Sequence, residues 1–533
     1  MTNKFYITTA IDYVNAEPHI GHAYQKIVAD VLDRWNKLQG KETLFVTGTD
    51  EHGKKVENSA KKAGKAPQEF VDEVSQKFKE AWKALNINYD RFIRTTDPDH
   101  KKVVTEFIKK CNANGDIYLG NYEGLYCTGC EAYYTEKDCP DSICQIHKTP
   151  LEKISEKTYF FKLSKYQDFL LDLYKKHPEF VLPKSRRNEI INRVKEGLND
   201  LSITRTSFDW GIPFPLDKKH ITYVWFDALI NYYTATREKG REKFWGKPTV
   251  HLLGKDNIWF HAVYWPAMLK SAEIELPKTV FSHGFLSFNG QKISKSLGNT
   301  ISPITLTKKY GADTVRYFCL RQFPFATGED GDFSEQALID RHNNELANKL
   351  GNLVSRTSAL AEKYGIDKKT RDQPLDKKWE EALENNKAEY EEIVRDIKFD
   401  ENGDVSYKDI THLLKMKQEK GYDGLVLSYP QAINAVVQVH VKRHMESFQI
   451  DKALNVIFAY IDVCNEFFQE REPWEDSIDK NYRRWILGET VRAIRQIAIL
   501  LSPFIPESAQ KIQKIFKTDK IKKAPVLFNK INQ

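Results

Sequence analysis

Two short apolar runs near the N-terminus, residues 4–10 and 43–48, read as buried strands. Between them the spacing changes to that of a helix, from about His19 to Gln39, with Gly40 as its stop. Strand, helix, strand in that order predicts a right-handed parallel crossover. The stretch 66–115 is mostly helical in pattern. Over 117–150 the periodicity is lost and Cys, Gly, Tyr and Asp become frequent. A basic helical stretch with Lys184, Arg186, Arg187, Arg193 and Lys195 follows. Sheet-like runs return at 221–227 and 249–254. From about Ser334 onward nearly every segment, such as 346–361 and 453–468, carries amphipathic helical spacing, which predicts a bundle. The expected organisation is an α/β domain in two halves, 1–115 and 211–275, interrupted by an insertion over 116–210. A linking segment over 276–340 leads to an all-α domain over 341–533, itself interrupted near 385–437.

Composition narrows the class. Of 533 residues, 41% are hydrophobic and 29% charged, enough for several globular cores. A net charge of +7 favours a polyanionic partner without requiring one. No apolar stretch approaches the roughly 18 residues of a membrane span, and the chain enters a strand at Phe5 without a secretory leader. A cytoplasmic protein is expected. Seven cysteines make no disulfide framework, but four fall between positions 127 and 144. Cys127-x-x-Cys130 and Cys144-x-x-His147 have the spacing of a structural zinc site, with Cys139 as a rival ligand.

Pro18 precedes His19-Ile20-Gly21-His22 at the expected helix start. Helix N-termini attract anions through their N–H groups and dipole. Residues three apart share a face, so both imidazoles can converge on a phosphate, and Gly21 lets a ring or ribose approach the backbone. Alone, this spacing is more often two surface histidines. The loop before it, Asp12 to Pro18, leaves a strand where open α/β sheets bind ligands. A second string, Lys292-Ile293-Ser294-Lys295-Ser296, follows the turn signal Asn289-Gly290. Two lysines three apart can bring mobile positive charge to a triphosphate. Together the strings suggest nucleotidyl transfer, in which a substrate carboxylate attacks the α-phosphorus of ATP and pyrophosphate leaves. Such chemistry needs positioning and charge stabilisation more than a protein nucleophile.

On these strings the chain resembles the class I aminoacyl-tRNA synthetases, and within them the methionyl-tRNA synthetase family, with Ile293 where the second signature has Met. Thr47-Gly48-Thr49-Asp50-Glu51-His52-Gly53, Val224-Trp225-Phe226-Asp227-Ala228, Gly254-Lys255-Asp256 through Phe260-His261 to Trp265-Pro266, Asp330-Gly331-Asp332-Phe333-Ser334 and Gly351-Asn352-Leu353-Val354-Ser355-Arg356 extend the likeness over most of the chain. The resemblance implies a Rossmann-like parallel-sheet catalytic domain with a zinc-binding insertion, then an all-α anticodon-binding domain. It implies that His19, Gly21, His22, Gly254, Asp256, Lys292 and Lys295 handle ATP with Mg2+. Ile11, Tyr13, Trp225, Ala228, Leu229, Tyr232 and His261 would form the methionine pocket, and Asp50 would hold the substrate ammonium. Cys127, Cys130, Cys144 and His147 would bind one zinc ion. Asn352, Arg356 and Trp474 would read the anticodon of tRNA(Met).

Leu229 stands where many members have proline, and Asn257 where an aliphatic residue is common. The 116–210 stretch is too short for the editing domain of the leucine, isoleucine and valine enzymes. A catalytically silent relative is disfavoured by the intact His19, His22, Asp50, Lys292 and Lys295. Asp400 to Asp404 lacks the Glu that a calcium loop needs at its last position, where Thr411 stands. No oligonucleotide-binding barrel follows the bundle, so the expected enzyme is a monomer with ATP, L-methionine and tRNA(Met) as partners and neither DNA nor membrane contacts.

Overall fold

The computed structural model describes residues 3–15, 17–127, 132–134, 139, 141–144, 148–288, 290–292, 300–367, 429–518 and 520–532. Contacts divide the chain into two compact units. The first is Met1–Phe285 with Ser294–Ile304 and Thr327–Glu329; the second is Leu286–Ile293, Thr305–Ala326 and Asp330–Gln533.

The first unit opens with strand β1 (Lys4–Thr9), the short β2 (Asp12–Tyr13), helix α1 (Ile20–Leu38) and β3 (Glu42–Asp50). Helices α2 (Lys54–Lys62) and α3 (Pro67–Ala84), strand β4 (Arg91–Arg94) and helix α4 (Pro98–Ala113) follow. β1 and β3 pair in parallel, as the apolar runs predict. Helix α1 starts one residue later than expected, at Ile20, because His19 caps it. Gly40, at φ +74°, takes up the left-handed turn after it.

The main sheet runs β2, β3, β1, then Thr249–Gly254, Thr279–His283 and Val181–Leu182, with β4 also on β3; all these pairs are parallel. The chain leaves β1 on one side for β3 and later returns on its other side at Thr249–Gly254. That reversal next to β1 is where an open α/β sheet leaves a crevice beyond its strand ends. Trp265, Phe226 and Tyr174 are buried in the largest cluster of this unit.

The 116–210 stretch contributes to three sheets, one of them the small antiparallel pair of Thr204–Arg205 with Ile221–Thr222. Ile117–Cys127, Glu152–Phe161, Ala132–Tyr134 and Leu201–Ser202 form an antiparallel sheet. Val181–Leu182, between helices Gln167–Lys176 and Lys184–Lys195, instead joins the edge of the main parallel sheet. Two strand residues between Phe180 and Pro183 are too few to show a period in the sequence.

The second unit contains a small sheet of Leu286–Phe288, Gln291–Lys292 and Gly331–Phe333, and is otherwise helical among its described residues. Its long helices are Tyr429–Glu446, Ile450–Arg471 and Lys480–Leu501. His342–Gly351 is wound as a π-helix and runs on into the helix Asn352–Tyr364. The buried Arg316 donates to the carbonyls of Pro503 and Phe504, tying the start of this unit to its last helices. Most of the atypical 385–437 stretch, including Asp400 to Asp404, lies outside the described residues.

Candidate functional site

The carboxyl ends of the parallel strands gather the polar groups of the first unit. Asp50 ends β3 and pairs with Tyr13 across β2, and Gly254 and His283 end neighbouring strands. Gly48, two residues before Asp50, must be glycine. A Cβ there would lie 1.8 Å from the Ile93 carbonyl oxygen, so the close approach of β4 to β3 forbids a side chain.

At the start of α1 the two histidines cap the helix reciprocally. The Gly21 N–H donates to His19 Nδ1 at 3.1 Å, and the His19 N–H donates to His22 Nδ1 at 3.2 Å. Histidine thus does here what Ser and Glu do in a capping box. The rings stack with centroids 3.8 Å apart. A Cβ on Gly21 would meet the His19 ring at 3.0 Å, so its absence also makes room for the cap. Because each Nδ1 accepts from an amide, the ring proton of each sits on Nε2. The Ile20 N–H donates to the Ile301 carbonyl at 3.0 Å, which holds the chain just beyond the lysine-bearing string against this helix start.

Beside this edge is a packed cluster of aromatic and imidazole side chains. Trp225 stacks on Phe260 at 3.7 Å and 7°, and meets His261 edge-on. Tyr232 Oη lies 2.7 Å from His261 Nε2, and His261 Nδ1 lies 2.9 Å from the Asn257 carbonyl. A carbonyl only accepts, so Nδ1 carries the proton and Tyr232 donates to Nε2. Burial pushes His261 down to about 4, so the ring is neutral at pH 7. His261 sits in a π-helical turn, Phe260–Tyr264, a wider winding that frequently marks functional positions. Behind Tyr232, His251 Nδ1 pairs with Thr8 Oγ1 at 2.7 Å, and Trp265 Nε1 donates to His251 Nε2. Burial drives His251 well below its ordinary value too. Ala228 and Leu229 are buried, and Leu229, Tyr13, Trp225 and Tyr232 share one apolar cluster. Ile11 packs instead on the neighbouring cluster of Tyr6, Leu44, Val46, Ile93, Ala235 and Phe244. Asp256 is exposed, two residues after Gly254 in the short turn Lys255–Asn257.

A buried triad that the motifs alone did not reveal braces this cluster. Asp227 Oδ2 lies 2.6 Å from His52 Nδ1, and its Oδ1 lies 2.7 Å from His100 Nε2. All three are buried. Burial alone would raise the Asp227 carboxyl, but the two imidazoles outweigh it and hold it below its ordinary value. Tyr13 Oη donates to the His52 carbonyl at 3.1 Å. The carboxylate therefore links the loop after Asp50 to the short helix Val224–Ala228 that carries Trp225. His52 and Asp227 stand in motifs. His100, within α4, has no sequence signal.

Lys292 lies on the strand Gln291–Lys292, opposite Ser287 in the hairpin that the Asn289-Gly290 signal predicts. Lys295 lies outside the described residues, as do the zinc candidates Cys130 and His147. Cys127, Cys139 and Cys144 are buried. Lys148 N–H donates to the Cys144 carbonyl at 2.8 Å and Cys144 N–H to the Thr149 carbonyl at 2.9 Å. Among the described residues no three metal-binding side chains form a ready cage. In the second unit, the Arg356 guanidinium lies 4.9 Å from the Trp474 ring and 5.4 Å from Phe468. Asn352 is exposed one turn before Arg356 on the same helix. Glu472, in left-handed conformation at φ 43°, ends the helix Ile450–Arg471 and turns the chain toward Trp474.

The chain matches the family model described as tRNA synthetases class I (M) over residues 5–146 and 136–358. It matches that of the anticodon binding domain of methionyl tRNA ligase over 430–531. It is 40% identical over 521 residues to a methionine–tRNA ligase of Thermotoga maritima, covering 96% of this chain and 74% of that protein. To the methionine–tRNA ligase of Rickettsia bellii it is 41% identical over 516 residues, covering 96% and 92%. Its fold matches Mycobacterium tuberculosis methionyl-tRNA synthetase in complex with methionyl-adenylate with a TM-score of 0.81 and 37% identity, over 97% of this chain and 94% of that one.

Proposed function

The chain belongs to the methionyl-tRNA synthetase family of class I tRNA synthetases, and from that premise we propose how its residues divide the work. The enzyme activates methionine with ATP to methionyl-adenylate, releases pyrophosphate and transfers the methionyl group to tRNA. The methionine carboxylate oxygen bonds to the α-phosphorus as the bond to pyrophosphate breaks.

The observation that carries the assignment of roles is the pocket of Trp225, Tyr232 and His261 beside the strand-end carboxylate Asp50. A thioether favours such a polarisable wall, completed by Tyr13, Ala228 and Leu229, with Ile11 supporting it from the adjoining cluster. The neutral His261 adds polarity without a charge that would repel the substrate ammonium. That ammonium pairs with Asp50. His19 and His22 point Nε2–H donors toward the phosphates at a helix N-terminus, with Gly21 and Gly254 leaving room for the nucleotide and Asp256 at its rim. By their motif, Lys292 and Lys295 stabilise the leaving pyrophosphate, and Mg2+ accompanies ATP.

We assign Cys127, Cys130, Cys144 and His147 to one zinc ion. The buried thiols of Cys127 and Cys144 and the backbone hydrogen bonds that Cys144 makes to Lys148 and Thr149 suit that donor set, and the ion would hold the knuckle together. Asn352, Arg356 and Trp474 would take the anticodon bases, the indole by stacking. We read the enzyme as cytosolic and monomeric. Among the described residues no helix is long and apolar enough to cross a membrane.

Amino-acid-dependent ATP–pyrophosphate exchange, run across the twenty amino acids, tests this reading. Stimulation by methionine is the expected result. Stimulation by a different amino acid, or by none, would overturn it.

A further inference from the structure

Helix α1 carries a lysine where the packing leaves no water. Lys26 and Asp12 are 0% and 6% exposed, with Nζ 2.5 Å from Asp12 Oδ1. The same ammonium donates to the Ala10 carbonyl at 3.2 Å and to Gln25 Oε1 at 3.0 Å. The second bond of Gln25 runs on to His283 Nε2 at 3.2 Å. Burial raises the Asp12 carboxyl to about 6 and lowers Lys26, and each is the other's main counterweight.

The placement matters more than the charge. Lys26 lies one helical turn beyond His22. Its two acceptors on the other side, Ala10 and Asp12, flank Ile11, and Asp12 precedes Tyr13. Asp12 pairs with Thr49 in the sheet, and Tyr13 with Asp50. One ammonium thus joins the helix that presents the phosphate-side histidines to the strand that lines the amino-acid pocket. A buried ion pair is poor evidence for stability, because two apolar groups of the same shape often do as well. What a hydrogen-bonded pair adds is a fixed geometry between the elements it joins.

We propose that Lys26 and Asp12 are positioning residues that couple the methionine pocket to the ATP site, so that occupancy of either half favours the other. Movement of α1 on nucleotide binding shifts Ala10 and Asp12 through Lys26, and with them Ile11 and Tyr13. Linkage makes the effect reciprocal. The inference rests on the reading of the two half-sites given above.

The test measures methionine binding to the full chain by equilibrium dialysis, with and without saturating β,γ-methylene-ATP and Mg2+. The ratio of the two dissociation constants reports the coupling, and roughly 5–150-fold is the usual range for linked sites. Lys26→Met alone leaves Asp12 buried without its countercharge and can unfold the protein. The deciding variant is therefore Asp12→Asn with Lys26→Met, which removes both charges together. Its ratio should fall to within twofold of one, with the melting temperature near that of the parent. Asp12→Asn alone should keep most of the coupling, because Lys26 still reaches the Ala10 carbonyl and the amide oxygen. A parent ratio of one, or a double variant that keeps the parent ratio, overturns the proposal. Absence of methionine-stimulated pyrophosphate exchange in the parent would instead overturn the functional reading.

Discussion

Tyr232 gives its only hydroxyl proton to His261 Nε2, at 2.7 Å, in a pocket where both side chains are buried. The bond is made because His261 has spent its own ring proton on the Asn257 carbonyl. Tyr232→Phe leaves a buried acceptor unsatisfied, at a cost of about 1–3 kcal/mol. The expected result is a rise of roughly tenfold in the KM for methionine, within that range, while the KM for ATP stays put. Exchange kinetics with each substrate varied in turn check it. An equal change in both constants would remove Tyr232 from the amino-acid side.

Asp227→Asn leaves one of two buried imidazoles, His52 or His100, without its acceptor. Leaving a buried ring N–H without its acceptor costs about 1–3 kcal/mol. The guanidinium unfolding midpoint should fall accordingly, and methionine binding should weaken because Trp225 and the loop after Asp50 lose their common brace. A midpoint equal to that of the parent would show that the triad braces nothing.

Acid should destabilise the protein between about pH 6.5 and 4. His261 and His283 are both pushed down to about 4 by burial, from an ordinary 6.5. In that window the unfolded chain binds the extra protons, so lowering pH favours unfolding, and the stability these rings contribute is fully present only above 6.5. Asp12 runs the other way, since its folded carboxyl, raised to about 6, holds a proton that the unfolded one has lost above 3.8. His261 and His283 against Asp12 leave a net loss of roughly 3 kcal/mol, and His251 and His440, which burial also lowers, add to it. Urea unfolding at pH 7 and pH 4.5 measures it. His283→Gln should flatten the dependence, and an unchanged slope in that variant would exclude His283 as a source.

Trp474→Ala should raise the KM for tRNA in aminoacylation at least fivefold, since stacking one base on an aromatic ring contributes about 1–3 kcal/mol. Pyrophosphate exchange without tRNA should not change. Arg356→Ala removes the cation held over the same ring and should act in the same direction. Loss of exchange in step with aminoacylation would mean that the fold, and not the anticodon contact, was damaged.

One zinc per chain is expected by plasma mass spectrometry, lost on Cys127→Ser or Cys144→Ser and kept on Cys111→Ser. Cys139→Ser decides between the rival ligand and His147: retention of zinc supports the assigned set. A parent preparation free of zinc that still unfolds at the same temperature after zinc is added would refute the site.

The parallel crossover and its flanking motifs were legible because they are local. Apolar runs mark β1 and β3, and His19 to His22 announce a helix start. Other features depend on chain segments far apart. Lys26 stands where a polar helix face would be solvated, and only the crossing of Asp12 shows that it is buried. His100 gains its meaning from Asp227, and His251 from Thr8 and Trp265. Ile11 flanks the pocket in sequence, yet its side chain packs on the neighbouring cluster of Tyr6, Ile93 and Phe244, residues far from it in the chain that its own neighbours do not announce.

The reciprocal cap on α1 has a consequence for how the enzyme responds to its surroundings. Since the backbone amides of Gly21 and His19 donate to the two Nδ1 atoms, each neutral ring carries its hydrogen on Nε2. A second proton on either ring would have to sit on Nδ1, facing an N–H that already points at it, so gaining charge undoes the cap. The first turn of the helix therefore keeps its arrangement of donors only while both rings stay neutral, and a charge gained there loosens main chain and side chain together.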